Sequence, residues 1–120
     1  MTARPWLRAE GMAVLAAALV GYGLMEGNWL LFTVLFFVPD LTMLGYLAGP
    51  RPGAVAYNLA HTYATPAVLA GVGWLIGTPL LLALALIWAA HIGFDRMLGY
   101  GLKLPTDFRD THLGRIGRAD

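Results

Sequence analysis

Four ionisable side chains that could bind a metal or move protons lie within stretches that are otherwise apolar. They are Asp40, His61, His91 and Asp95. An ionisable side chain at the centre of a bilayer costs about 2.5–3.5 kcal/mol even on lenient insertion scales, and such residues normally face a bundle interior or a water-filled cavity. A shared functional site is therefore the first hypothesis for these four residues.

Two carboxylates and two imidazoles together form a donor set that suits a divalent ion. Zinc binds these donors at about 2.0–2.2 Å, and mixed nitrogen and oxygen donors equally suit manganese or iron. A bound ion would offset the charge of two buried carboxylates. We expect all four residues as metal ligands, with Asp40 and Asp95 as catalytic residues, each able to act as a base where it is not a ligand.

Neighbouring polar side chains are expected to support this site by orienting the imidazoles or pairing with the carboxylates. The candidates are Tyr46, Tyr57, Asn58, Thr62 and Arg96.

Two other interpretations of the four residues stay open. They could relay protons or ions in a small transporter or channel, in which case a chain this short is expected to form a homo-oligomer. They could instead fix helix packing in a structural membrane subunit. Polar contacts between helices in membranes average only about 0.6 kcal/mol, so packing alone offsets little of the cost of a buried Asp.

The composition indicates an integral membrane protein. Hydrophobic residues make up 58% of the 120 residues and charged residues only 12%, which is about half the charged share of a soluble domain. Membrane lipids are therefore the expected partners. The net charge of +1 is too small to indicate nucleic-acid binding, and the absence of Cys excludes disulfides and thiolate metal sites.

The hydropathy pattern predicts an all-α fold with four transmembrane helices in an up-down-up-down bundle. The spans cover about residues 10–25, 29–48, 54–76 and 80–102, each long enough for a hydrocarbon core of about 30 Å. A turn is expected over residues 49–53, where Gly-Pro-Arg-Pro-Gly stands. The helical domain is expected over residues 1–105 and a cytoplasmic tail over 106–120, which either packs across the cytoplasmic mouth or is disordered.

The distribution of basic residues predicts the orientation. All Lys and Arg residues lie at the N-terminus, in the second loop, at the end of span four or in the tail. Under the positive-inside rule both termini are cytoplasmic, in a multi-pass protein of the bacterial cytoplasmic (inner) membrane. Arg115 and Arg118 are expected to contact anionic lipid.

Depth and helix geometry predict that the four ionisable residues can meet. Each lies about 12–18 Å along its helix from the cytoplasmic end, at 1.5 Å per residue. His91 and Asp95 are four residues apart and share one helix face. Pro39 and Pro66 each remove a backbone hydrogen bond and are expected to kink spans two and three. Small residues, such as Gly21, Gly71 and Gly73, should allow close helix packing.

Several motifs in the chain resemble a family of small, uncharacterised bacterial integral membrane proteins. These motifs are Pro39-Asp40-Leu41 with the segment 43–46, Tyr57-Asn58 with His61, the block from Ala90 to Gly101, and the segment 111–115. The resemblance covers nearly the whole chain and implies a four-helix membrane fold without an assigned activity.

A more distant similarity is to the LexA-regulated membrane-bound metal-dependent hydrolases. Those proteins carry a Pro-Asp pair, then a His-bearing segment, then a His-x-x-x-Asp helix followed by Gly and Pro. Pro39-Asp40, His61 and His91 with Asp95 follow the same order. The similarity implies a metal-dependent hydrolase that acts on a lipid or small amphiphile, although this chain has one His in the second segment where those enzymes have two.

Overall fold

The computed structural model describes residues 3–117 as a mostly helical fold with a short hairpin at its end. The expectation that Arg118 contacts lipid lies outside the described residues. The elements, in chain order, are α1 (Arg4–Leu24), α2 (Trp29–Leu35), a 3-10 helix (Val38–Ala48), α3 (Pro50–His61), α4 (Ala64–Leu75), α5 (Pro79–Leu98), β1 (Asp110–Thr111) and β2 (Gly114–Arg115).

Three helical stretches are long and apolar enough to cross a membrane. They are Arg4–Leu24, Trp29–Ala48 and Pro79–Leu98, whereas α4 is apolar but shorter. Large apolar side chains cover the outside of the fold, and Leu24, Leu47 and Leu75 are each more than 80% exposed. An apolar surface of this extent is typical of a protein surrounded by lipid.

The second predicted span is one helical stretch with a change of helix type in its middle. Pro39 has no backbone N–H, and the Asp40 N–H donates to the Phe37 carbonyl at 3.2 Å, which is a 3-10 bond. The Thr42 hydroxyl donates to the Pro39 carbonyl at 2.7 Å. The predicted kink is therefore a transition to a 3-10 helix of 11 residues, a length uncommon for this helix type. Asp40 lies in its first turn.

The third predicted span, residues 54–76, is divided into α3 and α4. Thr62 adopts an extended conformation, with φ −93° and ψ 140°. A proline ring clashes with the carbonyl four residues before it, and for Pro66 that carbonyl belongs to Thr62. Because the break falls directly after His61, this histidine lies at the end of a helix rather than in the middle of one.

Helix ends also differ from the sequence-based bounds. The turn expected over 49–53 is confined to Gly49, with φ 120°, and α3 begins at Pro50 because proline is well suited to the first helical position. α1 already begins at Arg4, and α5 ends at Leu98 rather than near residue 102. Gly99 ends α5 in the left-handed conformation, with φ 93°.

Helix α5 is central, with α1 and α4 packed against it, while α3 packs against the 3-10 helix. α1 and α5 approach most closely where two glycines face each other, since a Cβ atom on Gly93 would lie 2.7 Å from the Gly11 carbonyl oxygen. Of the glycines expected to allow close packing, Gly73 contacts Leu81, whereas no atom lies within 4 Å of a Cβ at Gly71.

The tail folds back against the helices. β1 and β2 pair antiparallel, and the Leu104 N–H donates to the Asp110 carbonyl at 2.8 Å. The Phe108 ring packs against Tyr46 of the 3-10 helix, with centroids 5.1 Å apart. Of the two alternatives for the tail, packing across the end of the bundle is the one that the structure shows for residues up to 117.

Candidate metal centre

Three elements bring the four ionisable residues together. Asp40 comes from the 3-10 helix, His61 is the last residue of α3, and His91 and Asp95 lie one turn apart on α5. One ligand atom from each residue lies within 4.8 Å of all the others. The equal depth predicted from the sequence therefore corresponds to a single buried Asp/His cluster.

The separations between the ligand atoms have the dimensions of a metal site. The two histidine Nε2 atoms are 3.1 Å apart, and each lies 3.2 Å from Asp40 Oδ1. Each also lies 3.4 Å from Asp95 Oδ2. In a tetrahedral site with bonds of about 2.0–2.1 Å, neighbouring ligand atoms are about 3.3–3.4 Å apart. The donor set therefore fits a divalent ion in its chemistry, and the distances around the two imidazole nitrogens fit one in size.

A hydrogen bond from the His61 ring to a backbone carbonyl determines which of its two nitrogens has a lone pair available to the cluster. His61 Nδ1 lies 2.8 Å from the Tyr57 carbonyl oxygen, which can only accept a hydrogen bond. Nδ1 therefore carries the proton in the neutral ring, and Nε2 presents its lone pair to the other three ligand atoms. Metal-binding histidines are commonly oriented in this way by a carbonyl at the second nitrogen.

The His91 ring interacts with the Phe36 carbonyl, in the way that the His61 ring interacts with the Tyr57 carbonyl. Within residues 3–117, however, His91 Nδ1 makes no hydrogen bond of normal geometry. The Phe36 carbonyl is free for His91 because Pro39, three residues later, has no N–H, and the Asp40 N–H donates to Phe37. The Phe36 ring also meets the imidazole edge to face, with centroids 5.2 Å apart.

The four side chains differ in exposure. Those of His61 and His91 are 3% and 1% exposed, that of Asp95 is 14% exposed, and that of Asp40 is 37% exposed. Two carboxylates balance the charge of one divalent ion, so the occupied cluster would be neutral, as burial in a low-dielectric region favours. Asp40 is the member through which water reaches the cluster most easily.

Two of the predicted supporting residues contact the ligands. The Tyr57 ring stacks on His61, with centroids 3.7 Å apart and an interplanar angle of 4°. Its hydroxyl lies 3.5 Å from Asp95 Oδ2. Arg96 Nη2 donates to the His61 carbonyl at 3.0 Å, which satisfies a carbonyl at the end of α3.

The other three supporting candidates have different partners. Tyr46 packs against the tail through Phe108, and the Thr62 hydroxyl accepts a long bond of 3.5 Å from the Ala64 N–H. Asn58 fastens the tail to α3, since its side chain donates to the Lys103 carbonyl at 2.8 Å and accepts from the Lys103 N–H at 2.7 Å.

A family model described as a domain of unknown function, DUF4260, matches residues 4–116. The chain belongs to the DUF4260 family. The match covers all the helices and the hairpin, so the cluster lies in the body of the family's domain. No curated protein and no solved structure matches the chain.

One cavity of this DUF4260 protein is lined by two residues of the cluster, and a second is lined by residues next to ligands in the sequence. The first, here called the chamber, has a volume of about 260 Å³ and lies beneath the tail; its lining residues are Asp40, Met43, Tyr57, Asp95, Tyr100, Lys103, Phe108 and Ile116. The second, here called the groove, has a volume of about 320 Å³ and is almost entirely apolar; its lining residues are Leu35, Val38, Pro39, Thr42, Ala60, Leu69, Leu84, Ile87 and Trp88.

Lys103 is a site residue that the sequence did not reveal. The positive-inside pattern assigns it to the cytoplasmic end of span four, yet only 4% of the residue is exposed. Its ammonium lies 3.9 Å from the Phe108 ring centroid and 4.9 Å from that of Tyr57. Burial lowers the pKa of Lys103, while the charges of Asp95 and Asp40 act in the opposite direction. The one available signal is that it is the only Lys in the chain.

Proposed function

We propose that this chain is a metal-dependent membrane hydrolase whose substrate is a lipid or a small amphiphile. The observation that carries the proposal is the convergence of two imidazole nitrogens and two carboxylate oxygens within 4.8 Å of one another. Each nitrogen lies 3.2–3.4 Å from both oxygens and 3.1 Å from the other nitrogen. The order of Pro39-Asp40, His61 and His91 with Asp95, which resembles the LexA-regulated hydrolases, supports it further.

The proposal assigns different roles to the four residues. His61, His91 and Asp95 are the most buried and hold the ion, which is zinc, manganese or iron. A catalytic metal site keeps one position open for water, and Asp40, which lines the chamber, would be the carboxylate available to that water. The ion supplies Lewis acidity and lowers the pKa of a bound water. Asp40 would take up the proton of the water that attacks the ester carbon or phosphorus, and would return it to the leaving alkoxide as the ester bond breaks. Arg96 and Tyr57 keep His61 in place.

The proposal also includes the arrangement in the membrane. Four crossings with both termini in the cytoplasm follow if α3 and α4 together form one crossing. The basic residues support this orientation, because none lies in the turns at residues 25–28 and 76–78. The groove then lies within the membrane-spanning part, and the chamber lies toward the cytoplasmic side. A substrate dissolved in the bilayer could reach the cluster without crossing bulk water.

Metal content tests the proposal most directly. Protein purified in detergent and analysed for transition metals is expected to contain about one ion per chain. His61→Ala and His91→Ala are expected to lose it, together with esterase or phosphatase activity toward amphiphilic substrates. His112→Ala is the matched control, because this histidine lies in the tail at the Leu102 N–H and its loss should leave the metal content unchanged.

The proposal fails if wild-type protein reloaded with zinc, manganese or iron retains none of them after dialysis. It fails equally if His61→Ala and His91→Ala retain as much metal as His112→Ala. If the protein holds its metal but hydrolyses none of a panel of carboxylic and phosphoric esters, the metal site is supported and the assignment as a hydrolase is wrong.

A further inference from the structure

We propose that Lys103 binds the anionic headgroup of an amphiphile in the chamber while the groove holds its hydrocarbon chain. This inference rests on the proposed hydrolase function and adds the substrate class: an amphiphile with a phosphate or other anionic headgroup.

The state of Lys103 is the first reason. A buried ammonium is costly unless it is paired or hydrogen-bonded. Within residues 3–117, no carboxylate oxygen lies within 4.0 Å of Lys103 Nζ, and this atom makes no hydrogen bond. The faces of the Phe108 and Tyr57 rings lie against it, and cation–π contacts leave its three donors unused. The ammonium therefore borders the chamber with donors available to an anion.

The charge balance of the chamber is the second reason. Asp40 and Asp95 line it beside Lys103, and by themselves they would repel an anion. A divalent ion held by the cluster would cancel these two negative charges, and Lys103 would then make the net charge of the chamber positive. Phosphate and carboxylate headgroups are the lipid groups that match a positive chamber.

The position of the groove is the third reason. Its lining includes the immediate neighbours of two ligands, Pro39 beside Asp40 and Ala60 beside His61, and also Ile87, four residues before His91. The Trp88 indole N–H donates to the Ala60 carbonyl at 2.6 Å and so fixes one wall. The groove therefore lies next to the segments that carry the ligands and could take a hydrocarbon chain, while the chamber, which is lined by Asp40, Asp95 and Lys103, could take a charged headgroup.

Binding of dodecyl phosphate to the zinc-loaded full chain in phosphatidylcholine nanodiscs tests this arrangement. Binding is followed by tryptophan fluorescence, with protein-free nanodiscs as the blank. Lys103→Met is expected to weaken binding about tenfold or more, since it removes charge-assisted hydrogen bonds. Lys103→Arg should restore most of the affinity. Arg109→Met is the matched control, because it removes an exposed positive charge of the tail and should not change binding.

Two further ligands separate headgroup recognition from free phosphate binding and from simple partitioning. Inorganic phosphate should bind more weakly than dodecyl phosphate, and dodecyltrimethylammonium should not bind above the blank. Leu84→Trp, which fills the groove, should weaken binding of dodecyl phosphate but not of butyl phosphate. Equal affinities of phosphate and dodecyl phosphate would overturn the role of the groove.

The inference is overturned if Lys103→Met binds dodecyl phosphate as tightly as wild type, or if the cationic amphiphile binds equally well. Zinc content measured on the same samples separates this failure from that of the proposed function. Wild type and Lys103→Met with equal zinc but different affinities for dodecyl phosphate would support both. Dodecyl phosphate binding that depends on Lys103 in a protein without metal would support the role of Lys103, but it would contradict both the charge-balance argument and the hydrolase.

Discussion

The protonation of His61 determines what the four ligand atoms can bind. Its Nδ1 proton is committed to the Tyr57 carbonyl, so its Nε2 atom faces His91, Asp40 and Asp95 as an acceptor. All three neighbours are acceptors as well when His91 is neutral with Nε2 unprotonated, and only a proton or a cation can satisfy the four atoms together. Because the separations match metal–ligand geometry, a divalent ion is the occupant that we favour at this point.

The exposure of Asp40 leads to a prediction at the residue scale. Asp40→Asn is expected to retain the metal, because His61, His91 and Asp95 remain, and to lower the hydrolysis rate about 100-fold or more through loss of the base. Metal content and initial rates are measured on the same preparation, and Asp107→Asn in the tail is the control. Loss of the metal together with the activity would show that Asp40 is a ligand instead.

At the scale of elements, prolines and glycines decide where the ligands stand. Pro39 converts the second half of span two into a 3-10 helix that carries Asp40, and Pro66 ends α3 just after His61. α5 supplies the other two ligands and is packed against α1 through Gly93 and Gly11. Asp40 thus lies at the start of one helix, His61 at the end of another, and His91 and Asp95 within a third, continuous helix.

The contact between α1 and α5 gives a prediction that uses two identical substitutions. A Cβ at Gly93 would lie 2.8 Å from the Leu15 nitrogen, so Gly93→Ala forces the helices apart. We expect a loss of about 1–3 kcal/mol of stability, measured as a lower unfolding temperature, and a weaker metal affinity because His91 lies two residues away. Gly71→Ala has open space at its Cβ and should be neutral or slightly stabilising. Equal effects of the two substitutions would contradict the close packing.

The tail gives a pH-dependent prediction. Burial lowers the pKa of His112 from its ordinary 6.5, and Arg96 lowers it further. The Leu102 N–H donates to its Nδ1 at 2.8 Å, which requires the neutral ring. The hydrogen bond between Leu102 and His112 therefore stabilises the folded tail fully above pH 6.5. This stabilisation is lost as the pH falls from 6.5 through the lower pKa that His112 has in the folded protein.

Hydrogen exchange can measure this effect. After correction for intrinsic rates, the Leu102 amide should exchange faster at about pH 5.5 than at about pH 7.5, the range in which histidine titrates. The Leu104 amide, which donates to the Asp110 carbonyl, is the internal control and should change little. Unchanged protection of Leu102 across this range would mean that protonation of His112 does not loosen the tail.

At the scale of the whole molecule, the distribution of apolar surface sets the relation to the membrane. Three helical stretches can cross by length and composition, and α4 is too short to cross without α3. The groove is apolar apart from Thr42, and none of its lining residues is ionisable. Because the groove offers no titratable group to a proton leaving the cluster, we favour hydrolysis over transport in the proposed function.

The proposed orientation predicts the outcome of a fusion experiment in bacterial cells. Alkaline phosphatase joined after Gly27 or after Gly77 should be active, because both turns would face the periplasm. A fluorescent protein joined at the C-terminus should fluoresce, because this end would be cytoplasmic. Active phosphatase at the C-terminus would reverse the orientation and place the chamber on the opposite side of the membrane.

The sequence by itself determined the helical class, the apolar surface and the residues worth combining into a site. These features depend on composition and local periodicity, and an ionisable side chain in an apolar run is visible without any knowledge of packing. Pro39 and Pro66 likewise indicated where the helices are distorted, because a proline acts on its own backbone neighbours. The breaks fell close to the predicted kinks for this reason.

Tertiary structure alone decided whether the ligands meet and what surrounds them. Asp40, His61 and the α5 ligands are far apart in sequence, and the distances of 3.1–3.4 Å from His61 Nε2 to the other three ligand atoms result from packing between helices. The positive-inside pattern gives the depth of Lys103 in the membrane but not the direction of its side chain. The sequence therefore indicated only a residue at the membrane boundary. Only the return of the tail, through Asn58 and Phe108, buries it beside the cluster.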